Sequence, residues 1–136
     1  MRIYSIHGKV LYESSADFQT ALEEAVVAGI SLHEADLRGR WLWKANLRGA
    51  KLREADLRGA ELGQANLQAA DLEWADLRGA NLWLAQLGGS RLSHANLRGA
   101  TLTRANLFRA EVEEGADLAG AELTNACLWG AKFPCA

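Results

Sequence analysis

The sequence has almost no proline, with Pro134 its sole example, and only two cysteines, Cys127 and Cys135, both close to the C-terminus. A disulfide framework spreads its cysteines through the chain, so this pair points to reduced thiols. Charge of one sign is also lacking. Fifteen Lys and Arg face seventeen Asp and Glu, for a net charge of −2. That balance leaves no basic footprint for nucleic acid, and direct nucleic-acid binding is not expected. No run of about 18 apolar residues occurs, so no membrane-spanning helix is expected. The opening stretch MRIYSIHGKV lacks the apolar core of a signal peptide. The expected setting is cytoplasmic.

Catalytic and metal chemistry is equally sparse. The chain holds three histidines, His7, His33 and His94. His7 falls in a non-repeating N-terminal stretch. His33 and His94 are about three turns of the repeat apart, about 15 Å at strand spacing, and cannot share a metal. No Cys/His cluster, nucleophile elbow, phosphate-binding loop or dinucleotide fingerprint is present. No cofactor is expected, and the chain reads as a non-enzyme.

What is present is repetition. From residue 30 the chain cycles every five residues around a central apolar residue: Leu32, Leu37, Leu42, and so on to Leu107 and Val112. After one inserted residue the centres resume at Leu118, Leu123, Leu128 and Phe133. Of these 21 centres, 19 are Leu, and the residue two before is Ala in all but Ile30, Arg40 and Ser90. A helix spaces its apolar residues by three and four, a strand by two. A period of five fits a strand of about three residues followed by a tight corner. The centre and the residue two before it then share the inward side. Four corners close a square coil, and the axis has room only for a small residue beside each Leu.

A second period confirms four sides. ADLRG recurs at 35–39, 55–59 and 75–79, and ANLRG at 95–99, an interval of 20 residues. About five coils, each rising one strand spacing, make a rod of about 25 Å. The pentads 35–39, 45–49, 55–59 and 95–99 carry A-(D/N)-L-x-x, and on these the chain resembles the pentapeptide-repeat family. The resemblance implies an all-β, right-handed quadrilateral β-helix over 30–136. It implies a binding or scaffolding role, with no cofactor. Some members of that family are dimeric mimics of duplex DNA that bind type II topoisomerases and protect them from quinolones, which is the alternative reading of function.

Residues 1–29 do not repeat and are expected to cap the solenoid. Extended pieces around Ile3 and Val10 suggest a hairpin. Ser14 followed by Asp17 suggests a capping box, with a helix running to about Ala28 and stopped by Gly29. Phe18, Leu22, Ala25 and Val26 would face the first coil.

Outward columns, in which residues 20 apart stack, are where function must lie. Arg38, Arg58, Arg78 and Arg98 form one column, with Asp36, Asp56 and Asp76 beside it, and interleaved charge of this kind reads as a structural ladder. Lys51, Asp71, Arg91 and Glu111 alternate in sign, which favours stacking. Asn46, Asn66, Gln86 and Asn106 are placed to form an amide ladder. Gly39, Gly59, Gly79 and Gly99 fit corners of positive φ. The aromatic residues are harder to assign to the fold. Trp41 and Trp43 flank Leu42 and point outward, where the N-terminal hairpin can cover them. Trp83 lies two coils above Trp43, with Gly63 leaving a gap between them and Leu84 adjacent. Phe108 lies one coil below Trp129. These six residues are the candidate protein-contact surface.

Three irregularities carry expectations of their own. Arg40, where Ala belongs, is expected to escape through a distorted corner and pair with an acidic residue of the cap. A one-residue bulge is expected near 113–115. The C-terminal end, with Leu128, Trp129 and Phe133, is expected to form a homodimer contact, Pro134 blunting the edge; dimeric members of the family use this end.

Overall fold

The computed structural model describes residues 1–133; Pro134, Cys135 and any pairing of Cys127 with Cys135 lie outside them. From Ser31 onward each outward residue before a centre bridges in parallel to the residue 20 further on: Ser31 to Lys51, Asp36 to Asp56, Trp41 to Glu61, Asn46 to Asn66, and so through Gln86 to Asn106. Four consecutive pentads therefore complete one coil. Its four sides carry the stacks begun by Leu32, Leu37, Leu42 and Leu47, here the first to fourth sides.

The strands are shorter than the sequence suggests. One residue per pentad bridges, and the rest of the pentad is corner. Apart from the one after Val112, each corner among the described residues closes with a hydrogen bond from the residue three after the centre back to the centre's carbonyl, as from Ala35 N to Leu32 O at 3.0 Å. The second corner residue is left-handed, as a type II turn demands. Gly59 (φ 65) meets that demand without cost, yet Lys44 (φ 58) and Trp74 (φ 61) adopt it too. The coil stacking, not glycine alone, imposes the conformation.

The Asp or Asn before each centre has a role beyond the bridge. Its Oδ1 accepts the backbone N–H two residues on: Asp56 from Arg58 at 3.2 Å, Asn66 from Gln68 at 3.1 Å, Asn106 from Phe108 at 2.9 Å. This is an Asx turn, which pre-bends the chain into the corner. The expected amide ladder is correspondingly reduced to one rung, Asn106 Nδ2 donating to Gln86 Oε1 at 3.3 Å.

The interior is as the pentad predicts. Every centre from Leu32 to Val112 is buried, and so is each Ala beside them from Ala45 to Ala110. Each buried Leu contributes about 1.5–3 kcal/mol of transfer free energy. Ser90, the one polar residue in that inner row, is satisfied by donating its hydroxyl to Leu87 O at 2.8 Å. In the last coil Leu118, Leu123 and Phe133 are half-buried and Leu128 is exposed.

The cap has two antiparallel strands, β1 (Arg2–Tyr4) and β2 (Val10–Glu13), and one helix, α1 (Phe18–Val27). The helix starts later than the Ser14 signal implies. Its N-cap is Asp17, whose Oδ1 accepts from Thr20 N at 3.0 Å and whose Oδ2 accepts from Thr20 Oγ1 at 2.9 Å. Ser14 instead bends the preceding loop by accepting from Ala16 N. The stop is as expected: Gly29 (φ 70) donates to Val26 O and Ile30 to Ala25 O, a Schellman motif. Leu22 and Ala25 are buried in the common core, with Phe18 and Val26 partly buried against it.

The cap also supplies acceptors that a preceding coil would provide. Asp36 N donates to Tyr4 O at 2.8 Å, and Asn46 N to Glu23 Oε1 at 3.0 Å. Lys51 turns toward the cap as well, its Nζ donating to Gly29 O at 3.2 Å past the helix C-terminus, where positive charge is favoured.

Arg40 departs from expectation in its partner. Its guanidinium carbon sits 3.9 Å from the centroid of the Phe18 ring, and no acidic residue of the cap grips it. The corner is intact, with Arg40 N donating to Leu37 O at 3.2 Å. Arg40→Ala should therefore destabilise by about 0.5–1 kcal/mol, the worth of an exposed cation–π contact. Arg40→Lys should recover part of that. A loss of several kcal/mol in urea melts would mean that Arg40 anchors the whole cap.

The insertion is where the frame requires it. Beyond it the bridges step by 21, from Asn96 to Asp117 and from Glu111 to Lys132. Glu114 and Gly115 are both left-handed, at φ 53 and 71. Gly115 is needed there, since a Cβ would lie 2.5 Å from His94 Nδ1.

Candidate functional site

The second side is a charged ladder. Arg38 grips Asp36 through two bonds, Nε to Oδ1 at 2.8 Å and Nη2 to Oδ2 at 2.7 Å, and its Nε lies 3.7 Å from Asp56 one coil up. Arg58 repeats this with Asp56 and Asp76, and Arg78 with Asp76. Asn96 interrupts the acids, so Arg98 reaches up to Asp117 at 3.1 Å. The hydrogen bond from Arg38 holds the Asp36 carboxyl below the usual range. At Asp76 burial pushes upward, but hydrogen bonds from Arg78 outweigh it and the carboxyl again sits low. A carboxylate whose native value is depressed contributes its stability above the unfolded value, about 3.9, and loses it as pH falls further. The melting temperature should be level near neutral pH and fall steeply in acid. Asp36→Asn with Asp76→Asn should flatten that acid limb; an unchanged slope would remove the ladder from the account.

On the first side the charges converge on Glu73, 8% exposed. Arg53 Nη1 meets its Oε2 at 2.7 Å, and Arg91 Nη2 meets its Oε1. Arg91 also reaches Asp71 at 3.6 Å and Glu111 at 3.7 Å. The alternating column therefore pairs through Arg91, while Lys51 belongs to the cap. In its own column Glu73 stands between Arg53 and Ser93, with no acidic residue one coil away, so the repeat gives no signal for it.

Aromatic rings occupy the other positions that matter. On the third side Trp41, Trp43 and Trp83 form one stack, with successive centroids 5.8 Å apart and interplanar angles of 18° and 23°. Trp43 lies across Gly63: a Cβ there would fall 2.0 Å from its Cζ3. The hairpin does not cover this stack. Trp41 is 68% exposed, and Trp43 is half-buried by its neighbouring rings. Leu84 is half-buried at the adjacent corner.

On the fourth side Phe108 and Trp129 stack at 5.2 Å and 11°. The Arg109 guanidinium lies 5.0 Å from the first ring and 5.8 Å from the second. Below them Gly88 and Gly89 floor a recess that Arg48 and Gln68 flank. The first side holds a pair that the sequence reading missed: Trp74 stacks on His94 at 4.0 Å and 10°. Their 20-residue separation was the available signal. The structure thus distributes the candidate contact residues over two sides, adds a third patch, and leaves the second side to charge alone.

The third and fourth sides thus offer flat rings, and the second side paired charges. The core is filled by Leu and Ala, and among the described residues no helix is long and apolar enough to cross a membrane.

Comparison with known proteins bears directly on the repeat. The family described as pentapeptide repeats matches in eight copies, over residues 30–68, 45–83, 85–113 and 114–134. A comparison with curated proteins gave no match. Among solved structures, HetL, a pentapeptide repeat protein involved in heterocyst differentiation regulation in the cyanobacterium Nostoc sp. strain PCC 7120, is 32% identical over 71% of this chain, at a TM-score of 0.34. The chain spans 60% of the HetL chain. The protein alr5209 from Nostoc PCC 7120 is 31% identical over 76% of this chain and 93% of its own, at a TM-score of 0.42. QnrB1, a plasmid-mediated fluoroquinolone resistance protein, is 20% identical over 71% of this chain and 59% of its own, at 0.37. Overlays this loose carry no functional argument. The repeats matched between residues 30 and 134 do settle the family: the chain belongs to the pentapeptide-repeat proteins, which form right-handed quadrilateral β-helices.

Proposed function

We propose that this chain is a non-enzymatic binding or scaffold protein, a rigid solenoid that presents its sides to a protein partner in the cytoplasm. The Trp41–Trp43–Trp83 stack carries this reading. A solenoid needs nothing large on its outer columns, yet three tryptophans are ordered there, with Trp41 largely in solvent. Tryptophan is the residue most enriched in binding hot spots, and ordered rings lose little entropy on contact. Affinity capture from native lysate should retain a partner that the Trp41→Ser, Trp83→Ser double variant loses. Equal capture by parent and variant would overturn this reading.

The alternative, a DNA-mimic modulator of a type II topoisomerase, requires an acidic surface of unopposed field. Here each Asp of the second side is gripped by Arg. Gyrase supercoiling with and without a quinolone separates the two readings, and no protection is the expected result.

The last coil is proposed as a homodimer contact, supported by exposed Leu128, Trp129 (66% exposed) and half-buried Phe133. A twofold contact there closes on itself and cannot propagate. Sedimentation equilibrium should show dimers for the parent and monomers for Trp129→Glu, Phe133→Glu. A parent that stays monomeric at high micromolar concentration would end this proposal.

A further inference from the structure

Cap and solenoid meet at a cluster that neither the aromatic rings nor the charged ladder uses. Backbone pairing places it. Ser5 bridges antiparallel to Ala35, and Ile6 N donates to Glu34 O at 2.7 Å. The chain then turns back sharply, with Gly8 N donating to Ser5 O at 2.9 Å. Ser5 Oγ accepts from His7 N at 3.2 Å and from Lys9 N at 3.1 Å. Ser5 is 6% exposed, so the turn that carries His7 is anchored in the structure. On the coil, Glu34 and Glu54 stack at successive left-handed corners, φ 57 and 59, and His33 immediately precedes Glu34. His7 Nε2 thereby comes 3.5 Å from Glu34 Oε1, and His33 Nε2 3.9 Å from the same oxygen. One ligand atom each from His33, Glu34 and Glu54 lies within 4.8 Å of the others.

We propose that His7, His33, Glu34 and Glu54 bind a divalent transition-metal cation of the zinc class, which staples the cap to the first coil. Two neutral imidazoles and two carboxylates make a four-donor set whose charge balances a dication. Mixed imidazole and carboxylate donors suit zinc, whereas calcium and magnesium take oxygen alone. Tetrahedral zinc, with bonds of about 2.0–2.2 Å, holds neighbouring donors roughly 3.3 Å apart. The separations around Glu34 are close to that, and the side chains that must adjust are at the surface. Two cationic side chains are nearby. Arg53 is already held by Glu73 at 2.7 Å. Lys9 lines the same recess, but its ammonium sits on a flexible stem that can turn to water as the metal enters. The sequence could not show this site, because the hairpin lies outside the repeat and has no period to register His7 against His33.

The test is cobalt and zinc titration of the full chain with its thiols alkylated, so that Cys127 and Cys135 cannot compete. Four-coordinate cobalt should give visible ligand-field bands that saturate at one equivalent and vanish on adding zinc. Zinc should also raise the melting temperature of the parent. His7→Ala, His33→Ala and Glu34→Gln should each weaken binding at least about tenfold, the lower bound known even for outer-shell partners. Melts in EDTA check that these variants remain folded. Should the His7 variant be destabilised without metal, Glu54→Gln, which leaves the cap turn untouched, decides the matter. The proposal is overturned if cobalt keeps its hexaaquo spectrum, or if the folded variants bind as tightly as the parent.

Discussion

Leu77→Asp should remove the cooperative melt of the intact protein, lowering stability by more than about 4 kcal/mol. Leu77 is fully buried at mid-stack on the second side, flanked by Leu57 below and Leu97 above. Losing the Leu side chain forfeits about 1.5–3 kcal/mol of transfer free energy. A larger penalty follows from placing a carboxylate among Leu and Ala side chains that offer it no partner. Arg58 and Arg78 belong to the same side, but both are turned outward and held by Asp56 and Asp76. The coil must therefore open or the carboxyl must take a proton. Because each coil rests only on its neighbours, damage at mid-rod splits one cooperative unit into two. The N-terminal part keeps its cap and should retain residual structure, detectable as a protease-resistant fragment. Leu84→Asn is the contrasting variant. Leu84 is an outward corner at φ 54, a conformation Asn tolerates well, and the loss should be within about 0.5 kcal/mol. A Leu77→Asp protein that melts like its parent would show that the pentad centres do not point inward.

The inward and outward assignment was legible because the period is long-lived. Any error in phase at Leu32 would have placed Leu107 on the wrong side 15 pentads later, so the sequence constrains itself. The same logic stacked Trp43 under Trp83 and Phe108 under Trp129, and located the insertion between Val112 and Leu118. It also places Trp74 under His94, a pair that shows only when the imidazole is treated as a flat ring.

What stayed hidden was of two kinds. At the residue before each centre, an Asn suits both an inter-coil amide ladder and a local Asx turn. Both need only a short polar side chain; geometry decides for the turn at Asn66, while Asn106 makes the turn through Oδ1 and the one inter-coil bond through Nδ2. In the cap no period exists to decide anything. Ser14 and Asp17 are both credible N-caps, and Asp17 prevails by holding both the N–H and the hydroxyl of Thr20. Arg40 announced itself as a misfit, but only the packed helix could show that Phe18, not a carboxylate, faces it.

Gly63→Ala should dismantle the tryptophan stack while leaving the coil beneath it intact. Gly63 does not occupy a left-handed corner, so its backbone suits alanine; the conflict lies wholly with the side chain above. An added Cβ would fall 2.0 Å from Trp43 Cζ3, 2.4 Å from Cε3 and 2.5 Å from Cη2, well inside van der Waals contact. The ring must leave. Trp43 is the middle member, so its departure breaks the contacts to Trp41 and to Trp83 together. Overpacking of this kind costs about 1–3 kcal/mol when the neighbour cannot yield. Here the ring can swing outward, and the stability loss should sit at the low end of that range. The spectroscopic change should be larger: the near-UV circular dichroism of coupled indoles should collapse, and tryptophan emission should shift to the red. Gly59→Ala provides the control on the neighbouring side. Its φ of 65 strains alanine by about 1 kcal/mol, but nothing lies within 4 Å of the new Cβ, so the indole spectrum should not move. The two variants match in chemistry and roughly in stability while differing in the stack alone. Partner capture should therefore fall for Gly63→Ala and hold for Gly59→Ala. If Gly63→Ala keeps the parent's near-UV spectrum, the rings do not stack over that glycine, and the third side loses its claim as the contact surface.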